Sequence, residues 1–232
     1  MEWRKCYLDV ILVPLGLLIT IVYHACLWYQ VRTHPLTTII GTNSKARHFW
    51  VPAIMKEIDK RNIVAVQTLR NMIMGSTLMA TTSILLCAGL AAVISSTYSV
   101  KKPLNDTVYG AQGEFIIALK YVTLLIIFLF SFFSHSMSIN FLNQVSILIS
   151  TMEDPQSTMT TDYVSHLLEK GCLLNTVGNR IFYVALPLLL WIFGPVLVFF
   201  SFVTMVLIFY NFDFVYECGT GKVNVCRHMN PA

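Results

Sequence analysis

Several ionisable side chains stand within or beside long apolar stretches of this sequence, where they could do chemistry or carry charge. Asp9 and His24 fall in the first stretch, and Lys120 and His135 fall in or just after the third. Charged and titratable groups are costly in lipid, so each such residue is a candidate functional residue. Asp9 and Lys120 sit at the same predicted depth, which makes an ion pair between them geometrically feasible. Near the membrane surface a purely structural pair is as good an explanation as a functional one.

His24 and His135 suggest one redox chemistry, because two histidines on two helices can serve as axial ligands of a haem. A lone intramembrane histidine is more often a hydrogen-bonded structural residue, so haem binding is the weakest of the hypotheses. Otherwise we expect no cofactor and no metal. No nucleophile elbow, phosphate-binding loop, HExxH motif or paired-carboxylate site is visible, so the sequence gives no support for an enzyme.

Polar residues occupy the end of the third stretch and continue beyond it, and among them Ser131, His135 and Ser138 share one helix face. The amides of Gln67 and Asn71 are four residues apart, as are those of Asn175 and Asn179, so each pair also shares a face. These groups either line a polar pathway or fix the helices by interhelical hydrogen bonds. The candidate polar pathway comprises Asp9, His24, Gln67, Arg70, Asn71, Lys120, Ser131, His135, Ser138, Asn175 and Asn179.

The apolar stretches that must position these residues are long enough to cross a bilayer. They cover about 7–28, 72–94, 115–133 (with a continuation to 149) and 182–210, and a membrane helix needs about 20 apolar residues. The 232 residues are 56% hydrophobic and 12% charged, whereas soluble domains carry about 25% charge. The sequence therefore predicts an all-α integral membrane protein with four transmembrane helices in a single domain.

The Lys and Arg residues predict the orientation. The segment between the first and second stretches carries seven of them, and the next segment carries two. Positive loops stay in the cytoplasm, so 29–71 and 150–181 are predicted inside, and 95–114 and the tail 211–232 outside. A glycosylation sequon at Asn105 and a candidate disulfide between Cys218 and Cys226 would then both lie outside.

Two short amphipathic helices are predicted in the cytoplasmic segments, one from about Phe49 to Asn71 and one beginning near Thr161. The first is basic and aromatic, which is typical of helices that lie on anionic lipid, although a solvated elbow is the alternative. Its lipid-facing candidates are Trp50, Lys56, Lys60 and Arg61. Gly194-Pro195 predicts a kink within the last stretch.

A short similarity between the segments that precede the second and fourth stretches suggests an internal repeat. Residues 66–74 and 174–182 share the pattern apolar, amide, Thr, aliphatic, any, Asn, any, Ile, apolar. The hypothesis is two parallel halves, 7–94 and 115–210, each with a span, a cytoplasmic helix and a span.

Two function classes remain besides haem redox chemistry. The favoured one is a channel or carrier for a small solute or ion, assembled as a homo-oligomer because four spans are few. The other is a non-catalytic scaffold or adaptor that presents the basic cytoplasmic helix. The expected partners are the bilayer, anionic lipids and further copies of the chain, with no nucleic acid. The expected location is the secretory pathway, the plasma membrane or an endomembrane.

Several motifs resemble a family of multi-pass membrane proteins that is abundant in land plants and is defined only as a domain of unknown function. The resemblance covers nearly the whole chain and implies a plant origin and a helical membrane fold, with no activity to carry over. The residues that carry it are Asn43-Ser44 with Arg47 and Trp50, Ala65-Val66-Gln67-Thr68-Leu69-Arg70-Asn71, Phe182-Tyr183, Ala185-Leu186-Pro187-Leu188 and Trp191-Ile192-Phe193-Gly194-Pro195.

Overall fold

The computed structural model of the chain describes residues 2–56, 58–100, 114–151 and 161–214. Within these ranges the protein is all-helical, and five helices are long and apolar enough to cross a membrane. These five are α1, α3, α4, α5 and α6, and α2 is shorter. The bounds are α1 Glu2–Thr33, α2 Ile39–Lys56, α3 Ile58–Val100, α4 Glu114–Thr151, α5 Thr161–Leu189 and α6 Pro195–Asp213. Single 3₁₀ turns cover Pro35–Thr37 and Leu190–Ile192.

The five long helices alternate in direction along the chain. We call the end where α1 begins the outer end and the end where α1 finishes the inner end. Side-chain contacts place the start of α4 and the 3₁₀ turn that follows α5 beside Asp9 at the outer end, and the end of α6 beside Tyr23 toward the inner end. Thus α1, α4 and α6 run from outer to inner end, and α3 and α5 run back.

The predicted single span 182–210 is interrupted, and the four-span count is not confirmed. The chain leaves α5 through a 3₁₀ turn, passes Gly194 at φ 157° and ψ 156°, and starts α6 at Pro195. Essentially only glycine adopts that backbone conformation, and proline is favoured in a first helical turn. The predicted kink is therefore a full reversal, and α5 and α6 form an antiparallel hairpin.

The helices form two bodies. One is a row of three helices in which α4 packs between α3 and α5, and the other is the pair α1 and α6. Gly16 makes the pairing of α1 and α6 close, because a Cβ there would lie 2.6 Å from the Phe202 ring. The two bodies join through an outer core of buried apolar side chains that includes Val13, Leu124, Phe128, Phe182, Leu188 and Phe202.

A second cluster, the inner core, lies where α3, α4 and α5 extend past the other helices. At about 1.5 Å per residue, α3 is about 64 Å long and α4 about 57 Å, roughly twice the 30 Å hydrocarbon thickness. The extensions and α2 bury a separate set of apolar side chains, which includes Val51, Ile54, Leu69, Leu142, Val145, Val164 and Leu168.

The predicted amphipathic helix 49–71 is wrong in its boundaries. Its residues divide between α2, which contains Pro52 in its interior, and α3. Trp50 is half-buried and packs against the inner core, whereas Lys56 is exposed, and lipid contact by these residues stays a prediction. The side chains of Lys60 and Arg61 are outside the described set.

An ion pair fastens α2 to α5. Arg47 Nε and Nη2 donate to the Glu169 carboxylate at 2.9 and 3.0 Å. Burial by itself would lower the pKa of Arg47, but the hydrogen bonds and charge of Glu169 outweigh it and raise that pKa. The helix predicted to begin near Thr161 does begin there, but it continues without a break to Leu189.

Glycines on α5 and serines on α4 set the contact between these two helices. Ser131 donates to the Gly178 carbonyl at 3.1 Å, and Ser138 donates to the Gly171 carbonyl at 2.7 Å. The two serines are seven residues apart on α4, and the two glycines are seven residues apart on α5. The two hydrogen bonds therefore mark one antiparallel seam. Between them lies the fully buried ring of His135, and a Cβ at Gly178 would approach its Nε2 to 2.8 Å.

The internal repeat is not confirmed, since the first half contributes two long helices and the second half three. Asn105, Cys218 and Cys226 lie outside the described residues, so the glycan and the disulfide stay predictions. The beginning of the tail is described, however. Phe214 forms an isolated antiparallel bridge with Thr38, next to the segment that joins α1 to α2.

We expect Gly178→Ala to destabilise the protein, because the added methyl would collide with His135 in a packed seam. A loss of about 1–3 kcal/mol is typical of such overpacking. Thermal unfolding in detergent micelles measures it. Gly75→Ala and Gly89→Ala are matched controls, because nothing lies within 4 Å of a Cβ at either position. Equal melting temperatures for Gly178→Ala and the controls would contradict the close seam.

The five-helix arrangement also predicts that the tail and the segment 29–71 share one side of the membrane. In a cysteine-free background, Lys45→Cys and a restored Cys226 should react with an impermeant maleimide from the same side of sealed vesicles. Ser96→Cys, near the outer end of α3, should react from the other side. Labelling of Cys226 together with Ser96→Cys would instead support the four-span topology.

Candidate functional site

A buried charge cluster, which we call the outer clamp, joins α1, α4 and the end of α5. Lys120 Nζ donates to Asp9 Oδ2 at 3.3 Å and to the Trp191 carbonyl at 3.4 Å. Trp191 Nε1 donates to Asp9 Oδ1 at 3.2 Å, and the Lys120 ammonium lies 5.2 Å from the indole centroid. The lysine and aspartate side chains are 7% and 5% exposed, so each charge is largely desolvated and neutralised by the other.

The outer clamp satisfies a need that the hairpin creates. A helix that ends leaves its last carbonyl groups without intrahelical partners. Lys120 supplies a donor to one of these at Trp191, which lies three residues before the Gly194 reversal. Asp9 then balances the lysine charge. The ion pair that the sequence made feasible is therefore present, and it is tied to the α5–α6 turn.

A second cluster, the inner clamp, joins α1, α5 and α6. The Arg180 guanidinium makes two hydrogen bonds to Asp213, from Nη1 to Oδ2 at 2.8 Å and from Nη2 to Oδ1. The Tyr23 hydroxyl donates to the same Oδ2 at 2.6 Å. Phe209 covers the site from α6, with its ring centroid 4.5 Å from the Arg180 guanidinium carbon. Bidentate pairing of this kind is among the strongest side-chain interactions.

His24 extends the inner clamp along α1. Its Nδ1 donates to the Thr20 carbonyl at 2.8 Å, and its ring packs edge-on against Tyr23 and Phe209. Its Nε2 is buried and has no hydrogen-bond partner among the described residues. The predicted pathway residue therefore belongs to the aromatic surroundings of the Arg180–Asp213 pair.

A layer of small polar groups crosses the row α3–α4–α5 at about this depth. Ser83 and Ser131 hydroxyl oxygens lie 3.2 Å apart, and Ser76 donates to Asn175 Oδ1 at 3.1 Å. Asn175 also lies close to the His135 ring, but neither ring nitrogen makes a hydrogen bond of good geometry to a described residue. The outer core seals the bundle between this layer and the outer clamp.

The surroundings of His135 do not fit an axial haem ligand. Its Nε2 abuts the backbone of α5 at Gly178, which leaves no room for a porphyrin on that side. His24 points its own ring at Phe209, so the two histidines have different neighbours. No group of three or more His, Cys, Asp or Glu residues within the described ranges could hold a metal ion.

A cleft of about 580 Å³ separates α5 from α6 next to the inner clamp. Its polar end is formed by Thr176, Asn179, Arg180 and Asp213. Its remaining walls are mainly apolar and include Leu186, Pro187, Met205, Ile208, Phe209 and Phe212. The cleft exists because α5 contacts α6 far less than it contacts α4. It is large enough for a small ligand.

The structure gathers only part of the predicted polar pathway. Ser131, His135, Ser138 and Asn175 lie together in the seam between α4 and its neighbours, and Asn179 lines the cleft. Gln67, Arg70 and Asn71 are exposed on α3 and join neither clamp. Sequence spacing placed them on one face but could not tell which way that face points.

Arg180, Asp213 and Tyr23 were absent from the predicted pathway. If 182–210 were one continuous helix, Arg180 and Asp213 would lie beyond its two ends. They would then be about 50 Å apart, because they are 33 residues apart and each residue rises 1.5 Å. The rule that ionisable groups beside apolar stretches are functional candidates would have included both. Only the hairpin brings them into contact.

We expect Asp9→Leu to cost about 3–5 kcal/mol of unfolding free energy, because it leaves the buried Lys120 charge uncompensated. The double variant Asp9→Leu with Lys120→Met removes both charges and should recover much of that loss. Equilibrium unfolding in mixed micelles measures the coupling. If the unfolding free-energy losses of the two single changes added up in the double variant, that result would contradict an energetically coupled ion pair at this position.

The family model described as "Protein of unknown function, DUF599" matches residues 11–218, so the chain belongs to that family. No curated protein matches it, and no solved structure matches it. The family resemblance seen in the motifs is thereby supported, while the plant origin it implied stays a prediction.

Proposed function

We propose that this member of the DUF599 family is a membrane carrier that moves a small solute by rocking the pair α1 and α6 against the row α3–α4–α5. The observation that supports it most is the placement of the two clamps. Each clamp links α1 to α5, directly or through α6, and the two lie at different depths of the same boundary between the two bodies. Carriers of several folds work by such movement of one bundle against another around a fixed site.

The asymmetry of the boundary supports a carrier and not a pore through one chain. Toward the outer end, Phe128, Phe182 and Phe202 close the contact within the outer core. Toward the inner end, the boundary opens into the cleft between α5 and α6. A carrier alternates between such states, and breaking one of the two charge pairs at a time is a direct way to couple the ends. A pore between copies of a homo-oligomer remains the channel form of the same hypothesis.

The scaffold hypothesis keeps one supporting observation. Phe49 on α2 is 77% exposed, beside the exposed Lys45. A basic and aromatic surface of this kind suits anionic lipid or a protein partner. It is the second candidate function, and it requires no movement between the two bodies. The cytoplasmic side of this surface, like the compartment, stays a prediction.

Asp9→Asn should open the outer end, because it removes the charge that holds Lys120 against the hairpin turn. We expect Leu188→Cys, which is 1% exposed in the outer core, to become reactive toward an impermeant maleimide from the outer side only in that background. Leu142→Cys, fully buried in the inner core, is the matched control and should stay unreactive.

Transport itself is tested with the unmodified chain in sealed proteoliposomes. Uptake of radiolabelled solutes, drawn from anionic, cationic and neutral classes, should saturate with concentration for at least one class. Non-saturating flux would indicate a channel. No flux for any class, together with no change in labelling of Leu188→Cys, would contradict transport and leave the scaffold hypothesis.

A further inference from the structure

We propose that the cleft between α5 and α6 binds an uncharged single-chain amphiphile, such as a long-chain alcohol, with its polar head at Asn179 and its chain toward Ser201. This inference deepens the proposed carrier function by naming the ligand class and the site. The site itself stands on geometry that does not require transport.

The shape of the cleft favours one hydrocarbon chain. Its lining on α6 extends from Ser201 to Asp213, which is about 18 Å at 1.5 Å per residue. The length and the volume of about 580 Å³ accommodate one extended hydrocarbon chain. The apolar walls give such a chain the contacts that it has in lipid.

The charge of the cleft favours an uncharged head. Arg180 and Asp213 stand at its polar end, and their two hydrogen bonds neutralise each other. An anionic or cationic ligand would add an uncompensated charge to a poorly solvated site, which is costly. A hydroxyl or amide head adds none.

Asn179 supplies the recognition. Asn179 lines the cleft, and its side-chain amide makes no hydrogen bond to a described residue. An amide both donates and accepts, so it can satisfy a hydroxyl in either role. Thr176, by contrast, already donates its hydroxyl proton to the Cys172 carbonyl at 2.9 Å. The polar end therefore offers one unsatisfied neutral group next to one satisfied ion pair.

The test is binding of tritiated hexadecanol to the full-length protein in nanodiscs, read by scintillation proximity and corrected with empty nanodiscs. Unlabelled hexadecanol should compete at least tenfold better than hexadecanoate or hexadecylamine, which have the same chain with opposite charges. Equal competition by all three would overturn the proposal, since it would indicate simple partition into the apolar surface.

Two variants locate the site. Thr204→Trp fills the cleft and should reduce binding at least tenfold. Leu207→Trp, on the same helix but outside the cleft and 61% exposed, should leave binding unchanged. Equal effects of the two variants would also overturn the proposal.

A charge variant tests the preference of the cleft for an uncharged head group. Asp213→Asn leaves Arg180 without its carboxylate, so the preference should switch from hexadecanol to hexadecanoate. An unchanged preference would contradict the role of the neutral pair. Binding with these properties in the absence of saturable uptake would remove the carrier function and keep the ligand site. Saturable uptake without hexadecanol binding would instead remove the ligand site and keep the carrier function.

Discussion

The reversal of the chain at Gly194-Pro195 is the constraint on which the rest of this architecture depends. It sends α6 back beside α5, so that Asp213 pairs with Arg180 and accepts a hydrogen bond from Tyr23 on α1. The same turn leaves the Trp191 carbonyl without an intrahelical partner. Lys120 donates a hydrogen bond to this carbonyl and pairs with Asp9 at the outer end. A continuous helix over these residues would remove both clamps and the cleft between them.

Low dielectric gives these few charges their importance. Within the membrane a lone ammonium, guanidinium or carboxylate is costly, so each must find its counterion and its remaining hydrogen bonds. Both clamps meet this demand by taking one partner from each body of the fold. The bodies are therefore joined by interactions that are strong when complete and unfavourable when one member is lost. Such joints are suited to switching between discrete arrangements, whereas the apolar outer core is suited to holding one of them.

The extent of correct prediction follows from which interactions are local. The depth of Asp9 and Lys120 in the membrane could be derived from the sequence, because each is a fixed number of residues from the end of its apolar stretch. The direction of the Gln67, Arg70 and Asn71 face could not, because it depends on the position of α4. The 182–210 stretch was assigned to one span since its hydropathy is continuous through Phe193. Its reversal rests on backbone dihedrals and a three-residue 3₁₀ turn, which hydropathy does not register.

The amino-acid sequence by itself determined that this is a helical, multi-pass membrane protein, because about 20 apolar residues in lipid can satisfy their backbone only as a helix. It also determined where the costly side chains lie along each helix. The tertiary structure decided which of them meet. Arg180 and Asp213 are 33 residues apart and lie in different helices, and their contact depends on the direction in which α6 runs. The Gly194-Pro195 pattern marks the place of the turn, but the direction of α6 also depends on packing against α1, which no local pattern encodes.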